Sequence, residues 1–533
     1  MRRTLLACAV AGLTLALPSQ ARGQGDAEVE AAIQRAVDYL KTRQEPNEGH
    51  FRDVWAEKDY RSGETALALL ALLKSGVKPD APEIQKGFDW LLAQPVQRIY
   101  EVSVAILALE ARYTPEEDAS IKDEEPLSTQ IRKRFKKKAV ARDRQWLANA
   151  VAFIVQHQHP GGLWRYPFFG EPDLSNSQFA ILALKAADRM GVRVNPEVFL
   201  REATCIVGFQ EPNGPEVPPF PVRAADSPIA GLLDKRVKRR QARKQSKARE
   251  SRGTMTRGDP GDSAETGTQV RMKARGWGYR QNHAPRASMT AAGLAVLVVC
   301  KSELEGSSHY EKALAPQVDQ ALRDGAAWIA SRFAVDRNPG ADPDWLFYYL
   351  YTLERAGTLL AVNTFGTHDW YGEGARFILD KQEGDGRFFA DSSGQKDGDL
   401  AGTCFAVLFL KRSTVPLAKR PMTGGDTGMP PAGKVVGGPL VSKREDGQLD
   451  VTFVFHSTPG KRVNVAGSFN GWSQDAHALQ DSDGDGVYEA TITVPAGSHQ
   501  YKFVVDGSEW LQDPQNPNGA PDGHGGENSV VQS

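Results

Sequence analysis

A helical unit recurs six times along this chain, and that repetition constrains the fold more than any other feature of its 533 residues. The unit consists of an amphipathic first helix that ends near a Gln, then a Gly-rich turn with an aromatic residue, then a second helix rich in Ala and Leu, although the second copy lacks the Gly-rich turn. The third copy, residues 146–184, carries Gln156 at the end of its first helix and Gly161-Gly162-Leu163-Trp164 at its turn. Units of this kind cannot bury their apolar faces alone, so neighbouring copies must stack. We therefore expect one continuous helical structure.

The second helices of the six copies are more apolar than the first helices. They lie near residues 64–72, 102–109, 175–184, 288–294, 345–350 and 402–408. Apolar residues cover almost their whole circumference, and a helix that is apolar all round must be buried on all sides. Six buried helices, each paired with an amphipathic outer helix, favour an all-α (α/α)6 toroid, because closure avoids the exposed ends of an open solenoid.

The recurring order of Gln, Gly-Gly, Trp and Tyr, followed by a helix of small residues, resembles the prenyltransferase/squalene-cyclase repeat. The resemblance covers residues 30–412. It implies a toroid fold for this region. It implies no single activity, since toroids of this shape serve cyclases, protein prenyltransferases and thioester proteins alike.

The residues that carry chemistry in such proteins are missing from this sequence. It contains no DxDD motif, whose middle Asp would protonate an alkene, and no Cys-Gly-Glu-Gln thioester sequence. Cys300 and Cys404 lie in apolar segments, and neither Cys nor carboxylate accompanies His157 and His159 at the spacing that a catalytic zinc site needs. We therefore expect no metal site and no cofactor.

Carboxylates stand where several second helices begin, and two interpretations of them stay open. Asp173, Asp344 and Asp399 are weak candidates for catalytic acids or bases in glycan cleavage, because (α/α)6 barrels also carry glycosidases and lyases. Alternatively, they satisfy the free N–H groups and the dipole at helix N-termini. Aromatic residues would surround the same face, either as part of a sugar or lipid site or as core residues: Tyr166, Trp277, Tyr279, Trp345 and Tyr348.

The N-terminus has the organisation of a secretory signal. Two Arg residues precede an apolar stretch over residues 4–17, and a small-residue site ends near Ala21. The apolar stretch is shorter than the roughly 20 residues needed to span a membrane, which makes an uncleaved anchor the alternative. No later apolar run reaches that length. We therefore expect a signal peptide over residues 1–21, a periplasmic or extracellular location, and no transmembrane segment after signal removal.

The net charge of −1 is the sum of segments that carry opposite charges. Residues 234–257 carry eleven basic and two acidic side chains, within an insertion over residues 234–269. Such a segment favours an anionic surface such as lipid or polysaccharide. Export makes nucleic acid the least expected partner. Residues 413–447 contain Pro430-Pro431 and several Gly, which is typical of a linker.

The C-terminal segment changes from a helical to an alternating pattern at Gln448. Val451, Phe453 and Phe455 share one face of a strand, and further short strands follow. Short strands at this spacing are typical of a β-sandwich. We therefore predict an all-β, immunoglobulin-like (E-set) domain over residues 448–533.

Ordered motifs within this domain span its whole length. They are Phe469-Asn470-Gly471-Trp472 in the string 465–472, the string 499–507, Trp510-Leu511-Gln512-Asp513-Pro514, and Glu527-Asn528-Ser529-Val530-Val531. This set resembles carbohydrate-binding family 48, the glycogen-binding domains found in the beta subunit of AMP-activated protein kinase and in glycogen-branching enzymes.

The resemblance implies an α-glucan site on four residues. Trp472 and Trp510 would stack on glucose rings, while Lys502 and Asn528 would bond to hydroxyl groups. The alternating pattern agrees for Lys502, because the residues on either side of it must point into the sandwich. One departure concerns His524, which stands near the place where binding members carry an apolar residue that inserts behind the glucan. We expect that binding is weakened or retuned, and a purely structural sandwich is the alternative.

The sequence thus predicts an exported glycan-binding protein in which a non-catalytic or scaffold-like toroid is joined to an α-glucan-binding module. The alternative is an enzyme that uses the toroid mouth. It would be a polysaccharide hydrolase or lyase, or a diverged terpene cyclase-like enzyme.

Overall fold

The computed structural model of the protein describes fourteen segments of the chain, and every structural statement below concerns these. They are residues 19–53, 60–114, 127–165, 171–226, 271–341, 345–389, 398–414, 439–444, 446–457, 460–481, 487–513, 516, 518–523 and 526–531. Several sequence predictions fall outside the described residues. They concern the signal over residues 1–18, Tyr166, the insertion 234–269, Asp344, most of the linker, and His524.

The described residues form a helical N-terminal region and a C-terminal β-sheet domain. The first strand of this domain, Leu440–Lys443, lies within the stretch 413–447 that was predicted as linker, so the predicted boundary at Gln448 is too late. The helical region has fifteen described helices: α1 (Ser19–Thr42), α2 (Arg61–Lys74), α3 (Pro82–Leu91), α4 (Ile99–Tyr113), α5 (Leu127–Lys138), α6 (Ala141–Gln156), α7 (Leu174–Met190), α8 (Pro196–Phe209), α9 (Arg223–Asp226), α10 (Ala287–Leu304), α11 (Ser308–Ala313), α12 (Ala315–Ser331), α13 (Leu346–Leu359), α14 (Trp370–Leu379) and α15 (Asp399–Leu410). A two-stranded sheet, β1 (Glu216–Val217) with β2 (Met272–Lys273), accompanies them.

Six of these helices pack in a circular series. Helix α2 contacts α4, α4 contacts α7, α7 contacts α10, α10 contacts α13, α13 contacts α15, and α15 contacts α2. These are the second helices of the six repeats, and their side chains are largely buried. First helices flank them: α3 contacts α2, α6 contacts α7, α8 contacts α10, and α1 contacts α15.

Helix α10 is the most apolar helix of the series. By length and composition it is the one described helix that would be able to cross a membrane, so the prediction that no later segment qualifies is corrected on this point. The structure buries 89% of it. It contacts α7, α8, α12 and α13, so neighbouring helices cover its apolar surface.

The Gln that ends the first helix joins neighbouring copies in four of the repeats. Its amide nitrogen donates to a carbonyl in its own turn and to a main-chain oxygen in the first helix of the next copy. The four inter-copy bonds, of 2.8–3.0 Å, are Gln44 to Glu83, Gln158 to Val198, Gln210 to Ala321 and Gln382 to Ala32. In the third copy this residue is Gln158 and not the predicted Gln156.

The turn aromatics are fixed in the same repeated way. The backbone N–H of Trp164 donates to Ser177 Oγ over 2.9 Å, and that of Trp277 donates to Thr290 Oγ1 over 3.1 Å. Each indole N–H also finds a buried carbonyl, that of Ile154 or Ile206. Tryptophan can be fully buried only when this donor is satisfied, and both rings are 0% exposed. Two roles were predicted for Trp277, a core residue or part of a sugar or lipid site. Its complete burial shows that it is a core residue.

The C-terminal domain has two sheets that enclose one apolar core. One sheet has the order β3-β4-β7, and the other has the order β10-β11-β8-β5-β6 with β9 also paired to β8. All strand pairs are antiparallel. The strands are β3 (Leu440–Lys443), β4 (Leu449–His456), β5 (Val463–Gly467), β6 (Ala478–Leu479), β7 (Val487–Val494), β8 (His499–Val505), β9 (Glu509–Leu511), β10 (Gly519–Pro521) and β11 (Glu527–Val531).

Candidate carbohydrate-binding surface

Strand β8 sorts its side chains between the core and an outward face. Tyr501, Phe503 and Val505 belong to the apolar core between the sheets. Because successive side chains of a strand point to opposite faces, Lys502 and Val504 lie on the outward face. This face carries the predicted site residues of the sheet.

Trp510 lies on β9, directly opposite Val504 of β8. Directly paired residues of antiparallel strands point to the same face, so the indole of Trp510 projects from the outward face. The neighbouring Leu511 packs against the core instead. Trp510 is 40% exposed, which leaves a large apolar ring available to a ligand.

Trp472 follows β5 in a tight loop that Asn470 holds together. Asn470 Oδ1 accepts a hydrogen bond from Gly467 N over 2.9 Å, and its Nδ2 donates to Val465 O over 3.0 Å. Trp472 N then donates to Gly467 O over 2.9 Å. Trp472 has a φ of 61°, a left-handed conformation that a non-glycine residue adopts only when its surroundings require it.

The two indole rings are neighbours across the surface. Their centroids lie 6.4 Å apart, and their planes meet at 41°. Trp472 is half-buried, whereas Trp510 is exposed. The pair therefore offers two aromatic faces at an angle, and a flexible chain would have to bend to lie against both.

Lys502 is held by an acidic partner on the same surface. Its Nζ lies 2.7 Å from Asp522 Oδ2, and both side chains are largely buried. The other carboxylate oxygen of Asp522 accepts a hydrogen bond from Gly526 N over 2.9 Å. An ammonium group has three donors, so the pairing with Asp522 fixes Lys502 and leaves donors for a ligand.

Asn528 occupies a more enclosed position than the sequence suggests. On β11 the neighbouring Ser529 is paired with the inward-pointing Tyr501, so Asn528 points to the outward face. Its Nδ2 donates to Gln500 Oε1 over 2.9 Å, and the residue is only 6% exposed. A ligand would therefore contact only the small exposed part of the Asn528 side-chain amide.

Behind the surface lies a buried polar network that fixes the loop after β9. Tyr501 donates from its hydroxyl to Asp513 Oδ2 over 2.5 Å, and Asn516 Nδ2 donates to the same hydroxyl oxygen over 3.0 Å. Asp513 N also donates to Ser529 Oγ. Burial, together with the Asp513 carboxylate, raises the pKa of Tyr501 well above its ordinary value. The tyrosine therefore stays a donor.

Residues 449–532 match the family described as the glycogen recognition site of AMP-activated protein kinase. The C-terminal module is therefore similar to this glycogen recognition site. This similarity supports a carbohydrate-binding function for the module. The family match covers the β-sheet domain and does not extend into the helical region.

Named relatives of the module are subunits of that kinase. The chain is 39% identical over 70 residues to the mouse 5'-AMP-activated protein kinase subunit beta-2, which covers 13% of this chain and 24% of that subunit. It is 43% identical over 58 residues to the pig subunit beta-1, covering 11% of this chain and 43% of that protein. The chain thus spans less than half the length of these relatives.

Three residues that organise the module's surface were not assigned a role from the sequence. Asn470 and Asp513 stand within the recognised motifs, so the strings that contain them carried a signal. Asp522 stands in none of them. Its pairing with Lys502 joins positions 20 residues apart, and it depends on the path of the loop before β11.

In the helical region, Asp173 caps a helix. It is the N-cap of α7, accepts hydrogen bonds from the backbone and side-chain nitrogens of Asn176 over 2.8 Å, and accepts another from Tyr279. Burial raises the pKa of Asp173. These contacts match the capping interpretation and account for its carboxylate oxygens.

Asp399 is the first residue of α15 and is paired with Arg387, whose Nη1 lies 2.8 Å from Asp399 Oδ2. Asp344 lies outside the described residues.

Among the aromatic candidates, the hydroxyl groups of Tyr348 and Ser175 share a hydrogen bond of 2.9 Å. The ring of Trp345 lies edge-on to the ring of Tyr348, and Trp345 is 44% exposed. No group of three or more His, Cys, Asp or Glu side chains that could hold a metal ion occurs in the described part of the chain.

Proposed function

We propose that the C-terminal module binds an α-glucan, with the indole rings of Trp472 and Trp510 stacked on glucose units. The observation that carries this proposal is the pair of rings 6.4 Å apart on the outward face of the sheet, one of them 40% exposed. The exposed ring of Trp510 and the half-buried ring of Trp472 lie outside the apolar core, and exposed apolar patches mark ligand sites. Aromatic faces suit the apolar C–H faces of sugars.

The angle between the rings favours a curved glycan over a flat one. α-1,4-linked glucose forms curved chains, whereas β-1,4-linked glucose forms flat ribbons. Two rings whose planes meet at 41° fit successive faces of a curved chain. Lys502, fixed by Asp522, and Asn528, fixed by Gln500, would then donate to hydroxyl groups and set the orientation.

Calorimetry of the full chain with maltoheptaose tests this proposal. We expect wild-type binding, and a loss of about thirtyfold for Trp510→Ala or Trp472→Ala, since an aromatic anchor contributes on the order of 2 kcal/mol. Trp345→Ala, which removes an exposed indole of the helical region, is the matched control and should bind as wild type. Equal affinity for cellohexaose would overturn the α-glucan assignment, and unchanged affinity in both module variants would leave a structural role only.

For the helical region we propose an (α/α)6 toroid that acts as a scaffold for the module. The circular packing of α2, α4, α7, α10, α13 and α15 supports this fold, as does the bond from Gln382 of the last copy to Ala32 of the first. Capping by Asp173 and pairing of Asp399 with Arg387 favour a scaffold over catalysis at those residues.

An enzyme acting on a polysaccharide is the second candidate, and Glu64 favours it. Burial raises the pKa of this half-exposed carboxyl to about 7, and the nearby Asp53 and Glu101 carboxylates contribute. A carboxylic acid with a pKa near neutrality suits proton transfer. A reducing-sugar assay on starch and glycogen with wild type and Glu64→Gln tests it. Activity that Glu64→Gln abolishes would replace the scaffold proposal, and no activity in wild type would remove the enzyme candidate.

We also propose export, with removal of residues 1–21. The support is the order of basic, apolar and small residues at the N-terminus. Fractionation of expressing cells, followed by N-terminal sequencing of the protein, tests this. A mature chain that starts near residue 22 outside the cytoplasm is the expected result, and an intact N-terminus in the cytoplasm would contradict it.

A further inference from the structure

A small cavity lies where all six helices of the circular series meet. Its volume is about 40 Å³. Five helices of the series, α2, α4, α7, α10 and α13, contribute lining residues directly. The sixth, α15, is represented by Ser413 and Thr414, which follow its end. The lining residues from α2, α4 and α7 lie in the C-terminal halves of those helices. The cavity is thus close to the ends of the helices, on the side away from Asp173 and Asp399.

Most of the charged side chains that line this cavity are basic, and the other lining residues are mainly apolar. Lys74, Lys185, Arg189 and Arg355 line it, and Glu110 is the one acidic lining residue in the described part of the chain. Glu110 is already committed to Arg189, with which it forms two hydrogen bonds. Lys185 is paired with Glu303, which lies outside the lining. Among the described lining residues no carboxylate is left for Lys74 and Arg355, although the buried Glu354 carboxyl, outside the lining, lies close enough to interact with both.

Arg355 is buried without full satisfaction of its guanidinium. The residue is 1% exposed, and its Nη1 donates to Gln178 Oε1 over 3.2 Å. The rings of Tyr351 and Phe179 lie against the guanidinium, at 3.8 and 4.4 Å from their centroids. Nη2 is buried with no hydrogen-bond partner among the described residues. A buried donor of a charged group is costly when it is left unpaired.

Lys74 ends α2 and faces the same cavity. Burial lowers the pKa of its ammonium, Arg189 lowers it further, and Glu110 and Glu354 oppose the shift. No hydrogen bond from Lys74 to another residue of the described segments is present. The partial negative charge at a helix C-terminus favours a cation there, but it supplies no acceptor for Arg355 Nη2.

We propose that this cavity binds one small inorganic oxyanion, phosphate or sulfate, between Lys74 and Arg355. Such an ion would give Arg355 Nη2 its missing acceptor and would neutralise both cations. A cavity needs about 10–15 Å³ for one water, so this one has room for about three waters or one tetrahedral anion. The shared chemistry is a compact oxyanion with several acceptor oxygens, which a guanidinium binds well. The proposal is for the free ion, because the volume does not hold the whole of a phosphorylated sugar or a lipid headgroup.

Equilibrium dialysis of the full chain against radiolabelled phosphate tests the proposal, with unlabelled sulfate as one competitor and glucose 6-phosphate as another. We expect about one phosphate per chain at millimolar concentrations, displaced by sulfate and not by glucose 6-phosphate. Lys74→Met and Arg355→Met should each weaken binding by about tenfold or more. Lys312→Met, which removes an exposed lysine elsewhere, is the matched control and should bind as wild type.

Cooperative melting and far-ultraviolet circular dichroism establish that each variant is folded. Should Arg355→Met fail to fold, Arg355→Lys retains a cation and Lys74→Met carries the test alone. No stoichiometric binding by wild type, or binding that Lys74→Met leaves unchanged, would overturn the proposal. Displacement by glucose 6-phosphate would overturn the assignment to a free inorganic ion, because it would show that the cavity accepts a phosphate ester. The result does not depend on glucan binding by the C-terminal module.

Discussion

Gln382 Nε2 donates to Ala32 O over 2.8 Å, across a separation of 350 residues in the sequence. The same nitrogen donates to Gly386 O over 3.0 Å, and Arg35 Nε donates to the Gln382 Oε1 over 2.9 Å. One side chain thus satisfies three polar groups and ties the last helical repeat to the first helix. In repeat proteins each unit usually contacts only its neighbours in sequence. This contact joins the last unit to the first, so its loss should affect the stability of the whole helical region.

Gln382→Ala should therefore destabilise the helical region by about 2 kcal/mol, because it leaves two main-chain oxygens and one guanidinium without their partner. The measurement is the urea midpoint of unfolding, followed by far-ultraviolet circular dichroism. Gln145→Ala removes an exposed Gln whose amide, within the described segments, bonds only to Asn149, and it should change the midpoint little. Equal midpoints for the two variants would show that Gln382 contributes no more than a surface amide.

These Gln residues show how much of the repeat structure could be predicted from the sequence. The sequence predicts a Gln near the end of most first helices, but in the third copy Gln156 was predicted in place of Gln158, because both lie close to the turn. Only Gln158 reaches Gly162 O and Val198 O. Arg201 also donates to Gln158 Oε1 over 3.1 Å, as Arg35 does to Gln382.

The fourth copy shows a difference that the repeat pattern did not predict. Arg35 and Arg201 each lie three residues beyond the carbonyl that accepts from the Gln. In the fourth copy this position is Asp324, which cannot donate to an amide oxygen when ionised. Gln210 Oε1 is accordingly buried without a partner in the described segments. Asp324 instead accepts from Arg275 and from Lys273 N. A repeat pattern predicts which positions meet, but the partner's identity decides which bonds form.

The module's surface was predictable in part. Alternation placed Lys502 on the outward face, and the motif strings contained Trp472 and Trp510. Alternation cannot reveal a residue in a loop, so Asp522 was missed. Nor does it give burial, which depends on the neighbouring strands, so the enclosure of Asn528 at 6% exposure was not foreseen.

Asp522→Asn should weaken maltoheptaose binding by about threefold, because a neutral amide holds the Lys502 ammonium less firmly than a carboxylate does. Calorimetry of the full chain provides the affinity. Asp506→Asn is the matched control, since Asp506 forms a comparable pair with Lys461 at an exposed position of the same domain. Tighter binding by Asp522→Asn would mean that Asp522 competes with the glucan for Lys502 and does not position it.

Asn470→Ala should weaken glucan binding about fivefold by loosening the loop that carries Trp472, whose left-handed backbone costs on the order of 1 kcal/mol and needs support. A double-mutant cycle with Trp472→Ala separates positioning from general damage. If Asn470 acts through Trp472, its replacement has no further effect on affinity in the Trp472→Ala background. A full fivefold loss in that background would contradict this role.

Glu354 should make stability depend on pH in a way that Glu354→Gln removes. Burial raises the pKa of this carboxyl from 4.5 to about 7, against hydrogen bonds from Thr414 and Thr358. Between these values the folded state holds a proton that the unfolded state has lost, so stability falls as pH rises through this window. We expect Glu354→Gln to match wild type near pH 4.5 and to exceed it by up to about 3 kcal/mol above pH 7. Urea unfolding in phosphate-free and sulfate-free buffers measures the difference, with Glu28→Gln as an exposed control. A difference that does not change with pH would show that folding leaves the pKa of Glu354 unshifted.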